Sequence, residues 1–115
     1  MNRLSRLKLK PQERMAIEEF SRRVKKALGK ELITIKLYGS KIRGNSRKYS
    51  DIDIYLIVRR KTLSLRHKVS EIDADIWDKY DVLLSPVIYD TSEEEKNLIM
   101  HSFYFESVQK EGIAL

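Results

Sequence analysis

The stretch Asp51–Val58, "DIDIYLIV", constrains the fold more than any other part of this chain. Apart from its two aspartates it consists of β-branched, aromatic and aliphatic residues, the composition of a strand. Beyond Asp53 no polar residue alternates with the apolar ones, so both faces of the strand have to be covered. A strand covered on both sides belongs to a sheet that carries other elements on its faces, which points to an α/β (α+β) domain. The aspartates themselves are the anomaly. An unpaired carboxylate is costly to bury, and two at i and i+2 of a strand point to one face and repel each other. Something must compensate them.

The rest of the chain reads as elements that could flank such a strand. Pro11 opens a helix in the first-turn position that proline tolerates; Ala16, Phe20, Val24 and Ala27 or Leu28 follow at helical spacing, and Gly29 is its expected cap. "ELITIKLY" reads as a strand that stops at Gly39-Ser40. "KIRGNSRKYS" reads as a short helical turn and a loop. Leu65, Val69, Ile72 and Ile76 mark an amphipathic helix. "YDVLLSPVIY" reads as a third extended segment, with Pro86 placing it at an edge. Thr91 or Ser92, with Glu94 or Glu95 three residues on, resembles a capping box opening a last helix that runs to about Lys110 and ends at Gly112. The order is α-β-(short α)-β-α-β-α: a small mixed β-sheet flanked by helices, one domain over residues 11–115, preceded by a flexible basic arm at 1–10.

Composition narrows the chemistry. There is no cysteine among the 115 residues, which removes disulfides, thiolate metal sites and a cysteine nucleophile together. His67 and His101 have no ligand-like spacing. No apolar run is long enough to cross a bilayer and the N-terminus is a poor signal peptide, so a cytoplasmic location away from the membrane is expected. The net charge of +6 is uneven: residues 1–60 carry seventeen Lys/Arg against six Asp/Glu, and the remainder six against eleven. A basic front half suits a polyanionic partner such as a nucleoside triphosphate or nucleic acid.

A divalent cation would resolve the conflict between Asp51 and Asp53. Their oxygen-only donor set selects a hard ion, Mg²⁺ or Mn²⁺. Gly39-Ser40, between a strand end and a helical turn, lets backbone approach a ligand closely, and backbone N–H groups with the Ser40 hydroxyl suit phosphate oxygens. Arg43, Arg47 and Lys48 add charge-assisted donors. Gly-Ser alone is a common turn and Asp-x-Asp alone a common strand end. Their conjunction around a short basic loop describes a metal–triphosphate site.

"YGSKIRGNSRKYSDIDIYLIV" resembles the signature of the DNA polymerase β-like nucleotidyltransferase superfamily, Gly-Ser followed after ten residues by Asp-x-Asp. Its short length and "GSKIRG" form are similar to the minimal nucleotidyltransferases (MNT or MntA type). The resemblance covers about residues 11–115 and implies the nucleotidyltransferase fold. It implies transfer of a nucleoside monophosphate, AMP foremost, from an NTP (ATP) to an acceptor hydroxyl, with release of pyrophosphate. It also implies a third carboxylate on a later strand. Asp81 fits that place best; Asp90 reads as a helix cap, and Asp73, Asp75 and Asp78 read as solvated. The metals would then be held by Asp51, Asp53 and Asp81, with Gly39, Ser40, Arg43 and Lys48 on the phosphates. The family implies a HEPN-type (HepT) partner, the toxin of a toxin–antitoxin pair, as acceptor.

Two other readings use the same residues. A catalytically inactive protein of this fold would serve as an antitoxin, binding or nucleic-acid-binding module, its arm of Arg3, Arg6, Lys8 and Lys10 meeting the polyanion; the intact Gly-Ser and Asp-x-Asp favour activity over this. An antibiotic-modifying transferase would need a further domain for which no residues remain. Phe103, Tyr104 and Phe105 make the last helix apolar on more than one side, which suggests an interface and a homodimer.

Overall fold

The computed structural model of the chain describes residues 7–39 and 52–115. The apolar run of "DIDIYLIV" forms strand β2, Ile52–Val58, in which every residue but Asp53 is buried. It lies inside a four-stranded sheet of order β3-β2-β1-β4, where β1 is Leu32–Tyr38, β3 is Leu84–Asp90 and β4 is Ile113–Ala114. The sheet is mixed: β1 is antiparallel to β2 and β4, and β3 is parallel to β2.

Helices on both sides explain why β2 is apolar almost throughout. Ile52, Ile54, Leu56 and Val58 share one core with Ile17, Phe20 and Val24 of α1 (Pro11–Leu28) and with Val69, Ile72 and Ile76 of α2 (Leu63–Tyr80). Tyr55 and Ile57 face the other way. They pack with Phe105 and Val108 of α4 (Phe103–Glu111) and with Leu98 of α3 (Thr91–Ile99). Each fully buried aliphatic side chain contributes about 1.5–3 kcal/mol. Several such residues in one strand offset the cost of the single half-buried carboxylate beside them.

Local signals set the helix ends. Pro11 starts α1 and Gly29, at φ 53°, caps it before a short 3-10 turn, Gly29–Glu31. Leu65, Val69, Ile72 and Ile76 are the buried stripe of α2, which begins where the Thr62 hydroxyl accepts the Leu65 N–H. A cluster around Glu19 pins α1 to α2: its Oε1 accepts from Lys79 Nζ at 2.8 Å and from the Tyr80 hydroxyl at 2.6 Å.

Several expectations are refined. The helical turn expected at 41–49 and most of the basic arm lie outside the described residues; within the arm, Leu7 and Leu9 pack against the core. Helix α2 continues through Tyr80, so the third strand begins at Leu84 rather than at Tyr80. Its edge position agrees with Pro86. The capping box of α3 sits one residue earlier than read, with Asp90 as the cap: Glu93 N donates to Asp90 Oδ1 at 2.7 Å and Asp90 N to Glu93 Oε1 at 3.0 Å. The single last helix is instead two. His101 takes φ 57°, and Ser102 N donates to Asn97 O at 2.8 Å, closing α3 in the manner of a left-handed cap with no glycine. Beyond Gly112 the chain adds the two-residue strand β4 to the edge of β1. Among the described residues no helix is long and apolar enough to cross a membrane.

Candidate active site

The register of the sheet decides what surrounds Asp53. Opposite it on β1 stands Tyr38, and beside it on β3 stands Ser85. Paired residues of neighbouring strands point to the same face. Core membership agrees: Tyr38, Tyr55, Val87 and Tyr89 lie on the α3/α4 side, and Ile54, Leu56 and Ile88 on the α1/α2 side. Asp53 therefore emerges at the head of the aromatic face, one residue from the start of β2, where it is half-exposed rather than entombed.

Gly39 closes β1 directly against this carboxylate. Its φ is +107°, a backbone conformation that side chains oppose. A Cβ at this position would overlap Asp53 Oδ2 and stand 3.0 Å from Asp53 Cγ. The glycine is thus required twice, by its dihedral and by the space its neighbour fills. The two halves of the sequence motif, ten residues and a loop apart, meet here in adjacent strands.

Aromatic rings floor the site. Tyr104, in the first turn of α4, meets Tyr38 edge-on with centroids 5.8 Å apart and lies 6.2 Å from the ring of Tyr55. Burial first, then Tyr89, the charge of Asp53 and Tyr38, push the Tyr104 phenol up to about 12. It stays a neutral hydroxyl at physiological pH. The Tyr55 hydroxyl donates to Glu94 Oε2 at 2.7 Å, and burial followed by this bond drives its pKa far above the ordinary tyrosine range. Tyr55 thereby ties the sheet to α3.

Of the residues expected in the site, the structure joins Gly39 and Asp53. Ser40, Arg43, Arg47, Lys48 and Asp51 lie outside the described residues. Asp81 is exposed and occupies the left-handed cap of α2, φ 56° and ψ 38°, its N–H donating to Trp77 O at 2.9 Å. It does not lie in register with Asp53; Ser85 does. Asp90 caps α3, as expected of it. Ser85 and Tyr104 are the neighbours that sequence reasoning did not place here. Alternation along β3 puts Ser85 on a face with Val87 and Tyr89, but the strand register needed to set it beside Asp53 is not a local property.

The donor types suit a hard cation: the Asp53 carboxylate and the Ser85 hydroxyl offer oxygen only. Among the described residues no group of three His, Cys, Asp or Glu side chains gathers as a metal site. Elsewhere, a surface hollow of about 460 Å³ is lined by residues that include Lys25, Thr34, Lys36 and Leu115, with no Asp or Glu side chain among them.

Comparison with known proteins gives this geometry its family. The profile of the nucleotidyltransferase domain matches residues 16–114. Two proteins of Methanocaldococcus jannaschii with the provisional name of protein adenylyltransferase are similar to the chain. MJ0141 is 35% identical over 74 residues, covering 64% of this chain and 75% of its own length. MJ1305 is 35% identical over 75 residues, covering 63% of this chain. The chain spans about half, 51%, of the length of MJ1305. With a profile match that takes in β1, Gly39, Asp53 and every later helix, the chain belongs to the nucleotidyltransferase domain family, and the enzyme class expected from its sequence is nucleotidyltransferase.

Proposed function

We propose that the protein transfers AMP from ATP to a hydroxyl group on a protein acceptor. The observation that supports this reading is the seating of Gly39 against the Asp53 carboxylate, which brings the glycine of the Gly-Ser pair beside the second aspartate of Asp-x-Asp. The names of the two relatives support an adenylyl donor and a protein acceptor. The resemblance to minimal nucleotidyltransferases makes a HEPN-type partner the first acceptor to try, with this chain as the antitoxin.

In this reading Asp51 and Asp53 hold Mg²⁺ or Mn²⁺, which when bound neutralises triphosphate charge and polarises the reacting oxygens. The chain's own residues align the reactants. Backbone at Gly39 and the Ser40 hydroxyl grip the β- and γ-phosphates, and Arg43 and Lys48 add positive charge. The acceptor oxygen bonds to the α-phosphorus, the bond from that phosphorus to the pyrophosphate oxygen breaks, and the hydroxyl proton is released to water. Alignment and charge stabilisation carry phosphoryl transfer, so a single small domain can supply them.

The test is incubation with ATP labelled on the α-phosphate, Mg²⁺ and a lysate of the source organism, wild type beside Asp53→Ala, with a purified HEPN-type partner in a parallel arm. Label on a protein with the wild type alone supports the reading. Label on RNA would replace the acceptor. Equal labelling with both proteins, or none with any NTP, would refute transfer and leave a binding module.

A further inference from the structure

Asp53 has a neighbour on each side in the sheet; on β1 it is Tyr38. On β3 it is Ser85. Among the described residues, the chain joins the sheet next to β2 at Leu83, whose carbonyl accepts the Ile52 N–H at 3.2 Å. Asp81 precedes this junction as the last-turn cap of α2, with the buried Val82 between them turned into the α1/α2 core. It stands four residues before Ser85, at a helix end rather than within the strand. Carboxylates that share one Mg²⁺ must each bring an oxygen to about 2.1 Å from it. Asp81 is exposed in a conformation fixed by the helix end, outside the strand whose register sets Ser85 beside Asp53.

We propose that Ser85, not Asp81, holds the third place on the metal-binding face beside Asp53, so that a hydroxyl stands where a further carboxylate would be expected. This rests on the metal reading given under Proposed function. The consequence is a site with less negative charge of its own: the free protein binds a divalent ion weakly, and the nucleotide brings most of the ligands with it. Asp81 serves the fold alone, as one of the few residue types that accept the left-handed cap.

Binding of Mn²⁺ to the nucleotide-free protein, read from the electron paramagnetic resonance signal of the unbound ion, tests this without any activity measurement. Ser85→Asp is expected to tighten Mn²⁺ binding roughly ten-fold by adding a charged ligand, Asp53→Asn to weaken it, and Asp81→Asn to match the wild type within about two-fold. Asparagine suits the same left-handed cap, so Asp81→Asn decides the matter even if Ser85→Asp does not fold by circular dichroism. The proposal is overturned if Asp81→Asn weakens binding as Asp53→Asn does, or if folded Ser85→Asp binds no more tightly than the wild type. If, in addition, Asp53→Asn leaves Mn²⁺ binding unchanged, the metal reading falls with it; if Asp53→Asn still weakens binding, only the role of Ser85 does.

Discussion

Replacing Gly39 by alanine probes the junction on which the site depends. The substitution adds one carbon, yet two separate penalties attach to it. The backbone at φ +107° is a region that an L side chain enters only under strain, at about 1–3 kcal/mol. The new Cβ also claims the position of Asp53 Oδ2, with Asp53 Cγ only 3.0 Å away, so either the carboxylate rotates or β1 shifts. The strain should lower the melting temperature by roughly 4–12 °C, taking about 4 °C per kcal/mol for a domain of this size. On the proposed role of Asp53, displacing its carboxylate by about 1 Å should cost a further hundred-fold in transfer rate, beyond any loss of folded protein. Thermal unfolding and single-turnover transfer of labelled AMP, measured below the melting temperature, separate the two effects. If the two act on one unit, Gly39→Ala should add little to the loss already caused by Asp53→Asn. A folded Gly39→Ala protein with near wild-type turnover, or penalties that simply multiply in the double variant, would refute the claim that the glycine exists to seat this carboxylate.

Other consequences concern the scaffold around the site. Tyr55→Phe removes the 2.7 Å bond to Glu94 that ties the sheet to α3 and should lower stability by about 1–2 kcal/mol, read in urea unfolding. Hydrogen bonds from Lys79 and Tyr80 hold Glu19 below its ordinary value of 4.5, and those from Lys61 and the Asp90 backbone do the same for Glu93. The unfolded chain takes up protons on these carboxyls before the native state does, so their contribution is complete above pH 4.5 and is lost as pH falls through the folded values. Glu19→Gln should therefore flatten the acid limb of a stability–pH profile. At the other extreme, Tyr104 and Tyr55 keep their protons in the native state above pH 10, where the unfolded chain releases them. Stability should accordingly fall as pH rises from 10 towards 12, and less steeply in Tyr104→Phe.

Wherever a pattern repeated with the period of its element, the sequence was readable. Leu65, Val69, Ile72 and Ile76 are buried as their spacing requires, and Pro11 and Gly29 bound α1 because each restricts or frees the backbone by itself. The half-exposed Asp53 in an otherwise buried strand was equally legible, because nothing else in "DIDIYLIV" is polar past it. What failed to show was non-local. A left-handed histidine ends α3 where no glycine or proline warns of it. Strand β4 has only two residues, too few for any alternation. Asp81 looked like a strand residue because Val82, Leu83 and Leu84 continue the apolar run of β3 backwards into the end of α2. Only the β2–β3 register separates Asp81 from Ser85, and register is set by how two distant segments pack rather than by either one.

The same register explains how a carboxylate comes to stand in so apolar a strand. The α1/α2 face of the sheet is aliphatic and closed along its length by two long helices, so a charge there would be buried without relief. The opposite face is covered by two shorter helices and filled with rings: Tyr38, Tyr55, Tyr89, Tyr104 and Phe105. Asp53 heads that face, with a serine to one side and a glycine closing the strand on the other. A Cβ at the glycine would already crowd the carboxylate. Its place near the strand end leaves it partly open, although Tyr38 stands opposite it on β1 and the rings of Tyr38, Tyr55 and Tyr104 share its face. A carboxylate so placed has a rigid base, which is what the proposed binding of an ion and a triphosphate in one alignment requires.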